Sequence, residues 1–324
     1  MKTIFLCIAM VTMMDFSLIA QDCTKEALRK QPGTWKAGVK GSAYHVNPTD
    51  LTREKAVLAG IHKMVSTNYK PLGCEITYAN VFSTEPYFLA DPYQYAMYIM
   101  RFLCDPASSD KTKSYVDVST PTTVNITANT IYHLNTLYAS DLRDDPRGYL
   151  KLRVKPVKMD GFYFLGEEVV GDSHLENKIK EYRWLITYDD KLPFSYVTRK
   201  EYLLILKKRL EKRIAESSSE EKYLKPYLIK IDDFMKKSEA ELAMPAICRW
   251  NDEEQFEGFV DEGTKGSFIA IKPNLEYYKK VPRSSPQFFS VVYKISHGDP
   301  VFEDNMAAIR KAVDFKALQN MLGK

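Results

Sequence analysis

The stretch from 194 to 247, FSYVTRKEYLLILKKRLEKRIAESSSEEKYLKPYLIKIDDFMKKSEAELAMPAI, constrains the chain more tightly than any other. Thr198 is followed three places later by Glu201 just ahead of an apolar run, the capping-box pattern in which a hydroxyl accepts from the first-turn amides and the carboxylate reaches back. Leu203, Leu206, Leu210 and Ile214 then recur at spacings of three and four, which places them on one face of a helix, while Lys207, Lys208, Arg209, Glu211, Lys212 and Arg213 crowd the rest. An apolar face of this kind needs a partner, so the helix must lie against another element. The three serines at 217–219 interrupt the pattern, and Ser218 with Glu221 can cap a second segment carrying Tyr227, Ile231, Phe234 or Met235, and Leu242. Pro226 lacks an amide hydrogen and its ring meets the carbonyl four residues back, which predicts a bend or a later start, and Pro245 ends the run. Acidic residues alternate with the basic ones throughout, so the lysine-rich face reads as a solvated surface ahead of a landing site for an anion.

Either side of this segment the signals are those of a globular α+β protein. The 324 residues carry Lys+Arg 46 against Asp+Glu 42, a formal charge of +4 without clustering, and nothing asks for nucleic acid. No internal repeat stands out. The first twenty residues differ. Lys2 precedes an apolar run from Ile4 to Met14, and Ser17-Leu-Ile-Ala20 gives a small-residue end before Gln21, the pattern of a secretory signal peptide over 1–20. The run is too short to span a bilayer, and no later segment is long and apolar enough, so a water-soluble chain delivered outside the cytoplasm, secreted or periplasmic, is expected with no transmembrane segment after cleavage. Removing Cys7 with the leader leaves Cys23, Cys74, Cys104 and Cys248, an even set for an oxidising compartment. The spacing favours Cys74 with Cys104, which bracket one compact stretch, and hence Cys23 with Cys248. Free buried thiols are the alternative, whereas zinc is disfavoured because no two cysteines lie two to four apart. No cofactor or metal is implied.

Read in order, a lead over 21–45 is followed by a capped helix opening at Asn47-Pro48-Thr49-Asp50, with Leu51, Leu58, Ile61 and Val65 as its stripe and Pro71 and Gly73 as its end. The period then changes to two. Ile76 and Tyr78, then Tyr95, Met97, Ile99 and Leu103, alternate in strands, and short β-branched or aromatic runs continue from 114 to 187. A helix followed by an antiparallel meander therefore fills 46–192, an element order shared with cystatin-like and NTF2-like folds. The helical segment 193–246 comes next. A smaller α+β lobe over 247–324 follows, with strands at 268–271 and 288–295 and a closing helix through Phe302, Met306, Ile309 and Val313, where Asp314 can cap a last turn.

The leader ending in Ala-Gln, the Val197-Thr-Arg-Lys-Glu-Tyr box and the stretch Lys272-Pro-Asn-x-x-Tyr277-Tyr…Pro282-x-x-x-Pro286-Gln287-Phe resemble secreted proteins of unknown function from Gram-negative bacteria. The resemblance covers about a third of the chain. It implies export and brings no activity and no catalytic residue with it.

Motifs that carry chemistry are missing: there is no Gly-x-Ser-x-Gly, no phosphate-binding Gly-x-x-x-x-Gly-Lys, no Gly-x-Gly-x-x-Gly and no His-Glu-x-x-His. Glu167 and Glu168 adjoin on a strand, so they point to opposite faces and are badly placed to share a proton. Asp141, Asp144 and Asp145 read as a turn. His174 near Glu176 suits a surface pair or one half of an acid–base site. Tyrosine supplies the remaining signal, with Tyr78, Tyr87, Tyr93, Tyr95 and Tyr98 in one stretch. Rings with polar tips stack on sugars or peptide side chains, and they also pack sheets. The expected function is a non-enzymatic binding or interaction module of the cell envelope, using Tyr87, Tyr93 and Tyr95 toward a glycan or protein partner. The alternative is a hydrolase with an inter-lobe site of scattered carboxylates and a histidine.

Overall fold

The structure, a computed structural model, describes residues 23–38, 47–83, 89–131, 150–170, 179–249 and 256–324 together with the backbone of 136–138. Cys23 opens the described chain beside a short helix α1 (Lys25–Lys30), capped by the Thr24 hydroxyl, and strand β1 (Thr34–Ala37). Helix α2 (Pro48–Asn68) begins where the sequence predicts, with the Asn47 side chain accepting from the Thr49 amide and Leu58, Ile61 and Val65 buried. Strands β2 (Cys74–Val81), β3 (Tyr93–Cys104), β4 (Ser114–Val116), β5 (Thr123–Ala128), β6 (Thr136–Tyr138), β7 (Leu150–Leu152), β8 (Val157–Met159), β9 (Phe162–Val169), β10 (Ile179–Ile186) and β11 (Phe194–Tyr196) follow. Between β8 and β9, Asp160 and Gly161 both adopt positive φ, the two-residue turn whose twist matches that of the flanking strands.

Helix α3 (Arg199–Glu216) carries the anticipated cap, the Thr198 hydroxyl accepting from the Glu201 amide, and buries Leu203, Leu206 and Leu210. A 3₁₀ turn at Ser218–Glu220 leads into helix α4 (Glu221–Phe234), which lacks a side-chain cap bond and runs helical through Pro226. The proline therefore costs α4 one backbone bond without ending it, because burial of Leu224 and Ile231 on either side of the gap holds the helix in register. Helix α5 (Glu239–Leu242), strands β12 (Ile247–Arg249), β13 (Ser267–Pro273) and β14 (Phe289–Ser296), and helices α6 (Pro300–Ala312) and α7 (Phe315–Met321) complete the chain. Asp314 caps α7, as its position predicts.

Among the described residues the strands form a nine-stranded sheet, ordered β1-β2-β3-β5-β14-β10-β9-β8 with β4 added to β3, and a five-stranded sheet, ordered β11-β13-β7-β6 with β12 added to β13. The large sheet is antiparallel except where β1 joins β2. Its central strand β14 comes from near the end of the chain, pairing Val291 with Ile126 on one side and with Trp184 on the other. The residues of 247–324 are accordingly shared between both sheets and do not gather into a lobe of their own. Alternation along a strand cannot reveal which neighbour that strand will have.

Side-chain parity sets the layers. Val291, Tyr293 and Ile295 of β14 face α2, α6 and α7 in one core, together with Ile76, Tyr95, Met97 and Ile126. Phe288 and Val292 face the other way and meet Leu152, Leu165, Leu185, Phe194 and Ile271 between the two sheets. Phe268 and Ala270, which alternate with Ile269 and Ile271 on β13, turn outward against Leu203, Leu206, Leu210, Leu224 and Ile231 of α3 and α4. Four layers result, helix, sheet, sheet and helix, and the helical segment that dominates the sequence is the outer cover of the smaller sheet. Each fully buried Leu or Ile contributes about 1.5–3 kcal/mol.

The disulfide corrects the expected pairing. Cys23 joins Cys104, with Cα atoms 5.7 Å apart, while Cys74 and Cys248 are buried and take no part in that bond. Cys74 and Cys104 do lie on neighbouring strands, but Cys74 is opposite Arg101, three residues short of Cys104. That odd offset turns their side chains to opposite faces of the sheet, so sequence proximity does not bring the sulfurs together. Cys248 belongs to the core beneath α3 and α4, on the smaller sheet.

Candidate functional site

Two of the three tyrosines anticipated as a binding surface are buried. Tyr93 and Tyr95 are 2% and 0% exposed and pack against α2, because both fall on the helix-facing parity of β3; Tyr87 lies outside the described residues. Tyr95 sits instead beneath an aromatic cluster in which its hydroxyl lies 2.8 Å from His62 Nδ1, and His62 stacks on Tyr78 at 4.1 Å with Trp35 set edge-on at 5.4 Å. Burial pushes His62 below the usual imidazole range. These rings cement β1, β2 and β3 to α2.

A second set of polar residues gathers where the ends of β2, β3, β5 and β14 line up. Ser284 donates to Asp50 (2.6 Å) and accepts from Arg53 (2.8 Å), and Arg283 pairs with Asp91 at 3.2 Å. Asn129, held at a φ of 64°, donates to the carbonyls of Asp91 and Ser285 and accepts from the Gln287 amide at 2.7 Å. Tyr277 donates to the Gln287 carbonyl (2.8 Å), and Asn274 donates to the Leu192 carbonyl. The Lys272–Phe288 motif is thus built as a clasp that pins an irregular loop into the protein interior, where every buried polar group needs a partner. Ser284 is fully buried and held from two sides, with no imidazole beside it among the described residues, which suits a structural hydroxyl better than a nucleophile.

An open concavity lies between the two sheets. A groove of about 690 Å³ runs from the free edge of the large sheet at β8 and β9 to the start of β13, a size suited to a small ligand. Val154, Val157, Ile247 and Ile269 supply aliphatic walls, and Arg153, Lys155, Glu167, Glu168 and Glu262 supply charge; no aromatic ring is among the described lining residues. Its glycines, Gly263 and Gly266, adopt positive φ with open space where a Cβ would stand, so the loop presents bare backbone to the groove. The sheet edge alongside is blunted by Pro156, by a strand of only three residues and by Lys158, which pairs with Asp190.

Each groove carboxylate holds a cation. Glu262 pairs with Lys155 (3.3 Å), Glu167 with Lys180 (3.3 Å), and Glu168 with both Arg153 and Arg183 (3.1 Å each). Glu167 and Glu168, neighbours on β9, take different partners. Of the other residues weighed for acid–base work, His174, Glu176, Asp141, Asp144 and Asp145 lie outside the described residues. Among the described residues no three His, Cys, Asp or Glu side chains come together as metal ligands, and no helix is long and apolar enough to cross a membrane. The sequence gives no hint of the groove, since its walls come from strands and loops scattered between 153 and 269.

A second hollow, about 580 Å³, lies between α1 and α6. Arg29 and Asp304 pair across it at 2.5 Å, and the side chain of Asn305 at its base has partners in Tyr69, Leu72 and Val301. Its polar groups satisfy one another.

No family model matches this chain, and neither a curated protein nor a solved structure matches it.

Proposed function

We propose that this is an exported binding protein that holds a short peptide segment in the groove between its two sheets. The observation that carries the reading is the lining: aliphatic side chains interleaved with charges of both signs, in a cleft of ligand size, with its carboxylates already neutralised by cations. Sugars are gripped chiefly by stacking on aromatic faces, and the described lining offers none, whereas an extended peptide presents aliphatic side chains and opposite terminal charges. Export rests on the apolar leader and is supported by a disulfide that closes on Cys23, just beyond the expected cleavage point.

Affinity selection of a mixed-sequence peptide library on the mature protein, repeated with Val157→Glu, tests the binding role. Val157 is exposed on the groove wall, so the substitution leaves the core intact while placing a charge against an aliphatic ligand side chain. Retention should fall at least tenfold. Equal retention by both proteins, or hydrolysis of the retained peptides, overturns the reading; full-length protein in the cytosol with its leader intact overturns export.

A further inference from the structure

Arg183 is the most unusual charge beside the groove. Its side chain is 5% exposed, Nη2 donates to Glu181 (2.6 Å) and to Glu168 (3.1 Å), and Nε and Nη1 have no acceptor among the described residues. A buried guanidinium short of acceptors is costly, and a carboxylate seated squarely against Nη2 can place its second oxygen on one of the two neighbouring donors, Nε or Nη1, because two oxygens match either edge of the planar fork. Glu168 reaches it through the β9 bulge. The pairing of β9 with β10 slips between Tyr182 and Trp184 around Gly166, and the bulge sets Glu168 opposite Glu181 on Arg183's face of the sheet. The second oxygen of Glu168 takes Arg153, which comes from beyond the end of β7 on the other sheet. One carboxylate therefore straps the two walls together while about a third of its side chain remains in solvent.

We infer that Arg153 and Arg183 are the anchor for the carboxylate of a bound peptide, and that Glu168 fills that position in the free protein. Exchange preserves charge: two guanidiniums face Glu168 and Glu181, and when Glu168 rotates out to water a ligand carboxylate restores the balance, bringing oxygens within reach of donors now unfilled. The inference rests on the groove being the peptide site and adds the polarity of binding, with the peptide carboxylate at the Arg153 end.

The test uses ¹⁵N-labelled mature protein titrated with a mixed-sequence pool of N-acetyl tripeptides, once as free acids and once as C-terminal amides. The amide signals of Gly263 and Gly266 report groove occupancy, and the Arg183 Nε–H signal reports the anchor. Free acids should move both, with amides needing at least tenfold higher concentration to move the glycines. Glu168→Gln, which keeps an acceptor and the side-chain shape, should tighten the acids tenfold or more and leave the amides unchanged; Arg153→Ala should erase the difference between the pools. Should Glu168→Gln fold poorly, the acid-to-amide ratio in the unaltered protein decides alone. Glycine shifts equal for both pools, with Arg183 Nε–H still, overturn the anchor and leave the groove standing. Glycine signals unmoved by either pool overturn both.

Discussion

Replacing Cys23 and Cys104 together by serine probes the connection that sequence spacing misplaces. The bond closes a loop of sequence separation 81, and restricting that loop in the unfolded chain is worth about 4.5 kcal/mol in the chain-entropy treatment. Native contacts of the amino-terminal strap survive the change: the Cys23 amide donates to Lys111 (2.7 Å), Gly33 to Pro71 (2.9 Å) and Gly73 to Gln31 (2.8 Å), and β1 keeps its ladder with β2. The loss therefore falls on the unfolded state, and the midpoint in urea should drop with native spectra unchanged. Trp35, edge-on to His62 and 5.8 Å from Tyr69, reports whether the strap leaves before the rest, so fluorescence and far-ultraviolet dichroism should be followed side by side. A loss below about 1 kcal/mol, against the 4.5 worked from the loop, would refute the reasoning, as would a non-reducing peptide map linking Cys74 to Cys104.

Thiol counting gives a further check: the native mature protein should show no reactive thiol and the denatured, unreduced protein two, since Cys74 and Cys248 are buried and burial pushes the Cys74 thiol up to about 12. A count of zero after denaturation would contradict the assignment of the bond to Cys23 and Cys104 alone. Gly33→Ala sets a Cβ 2.1 Å from the Cys74 carbonyl oxygen, a backbone atom that cannot swing aside, and should cost about 3 kcal/mol in chemical denaturation or detach β1. Ile61→Ala, in the centre of the α2 core, should cost about 2–5 kcal/mol, and a value under about 1 would mean that α2 packs elsewhere. His62 is held neutral by burial, so below the ordinary imidazole range near 6.5 the unfolded chain binds the extra proton more readily; its contribution is complete above that range and is lost as pH falls through the lower folded value. Thermal melts from pH 7.5 to 5 should show the decline, and His62→Gln should flatten it.

Where the determinants are local, the sequence reads through to the structure. The Asn47, Thr198 and Asp314 caps and the Leu203, Leu206, Leu210 stripe involve partners within four residues, so the chain itself carries them. The Ser218 cap is the local expectation that fails. There the 3₁₀ turn supplies the lead-in to α4, which starts without a side-chain cap bond. The α+β class follows from the change of hydrophobic period, and that too is local.

What alternation cannot carry is direction. Tyr93 and Tyr95 fit a core strand and a binding face equally well, and the choice falls to α2, which covers that side of β3. The same ambiguity hides the disulfide, because one odd step in register between β2 and β3 turns Cys74 away from Cys104 and frees Cys104 for Cys23. The chain by itself determined which segments are helix, which are strand and where most helices begin, since those are settled by contacts a few residues long. Only the tertiary structure decided which faces are buried, that β14 returns to the middle of the large sheet, and that Arg153, Arg183 and Glu168 meet between two sheets, because those relations depend on the register of strands distant in sequence.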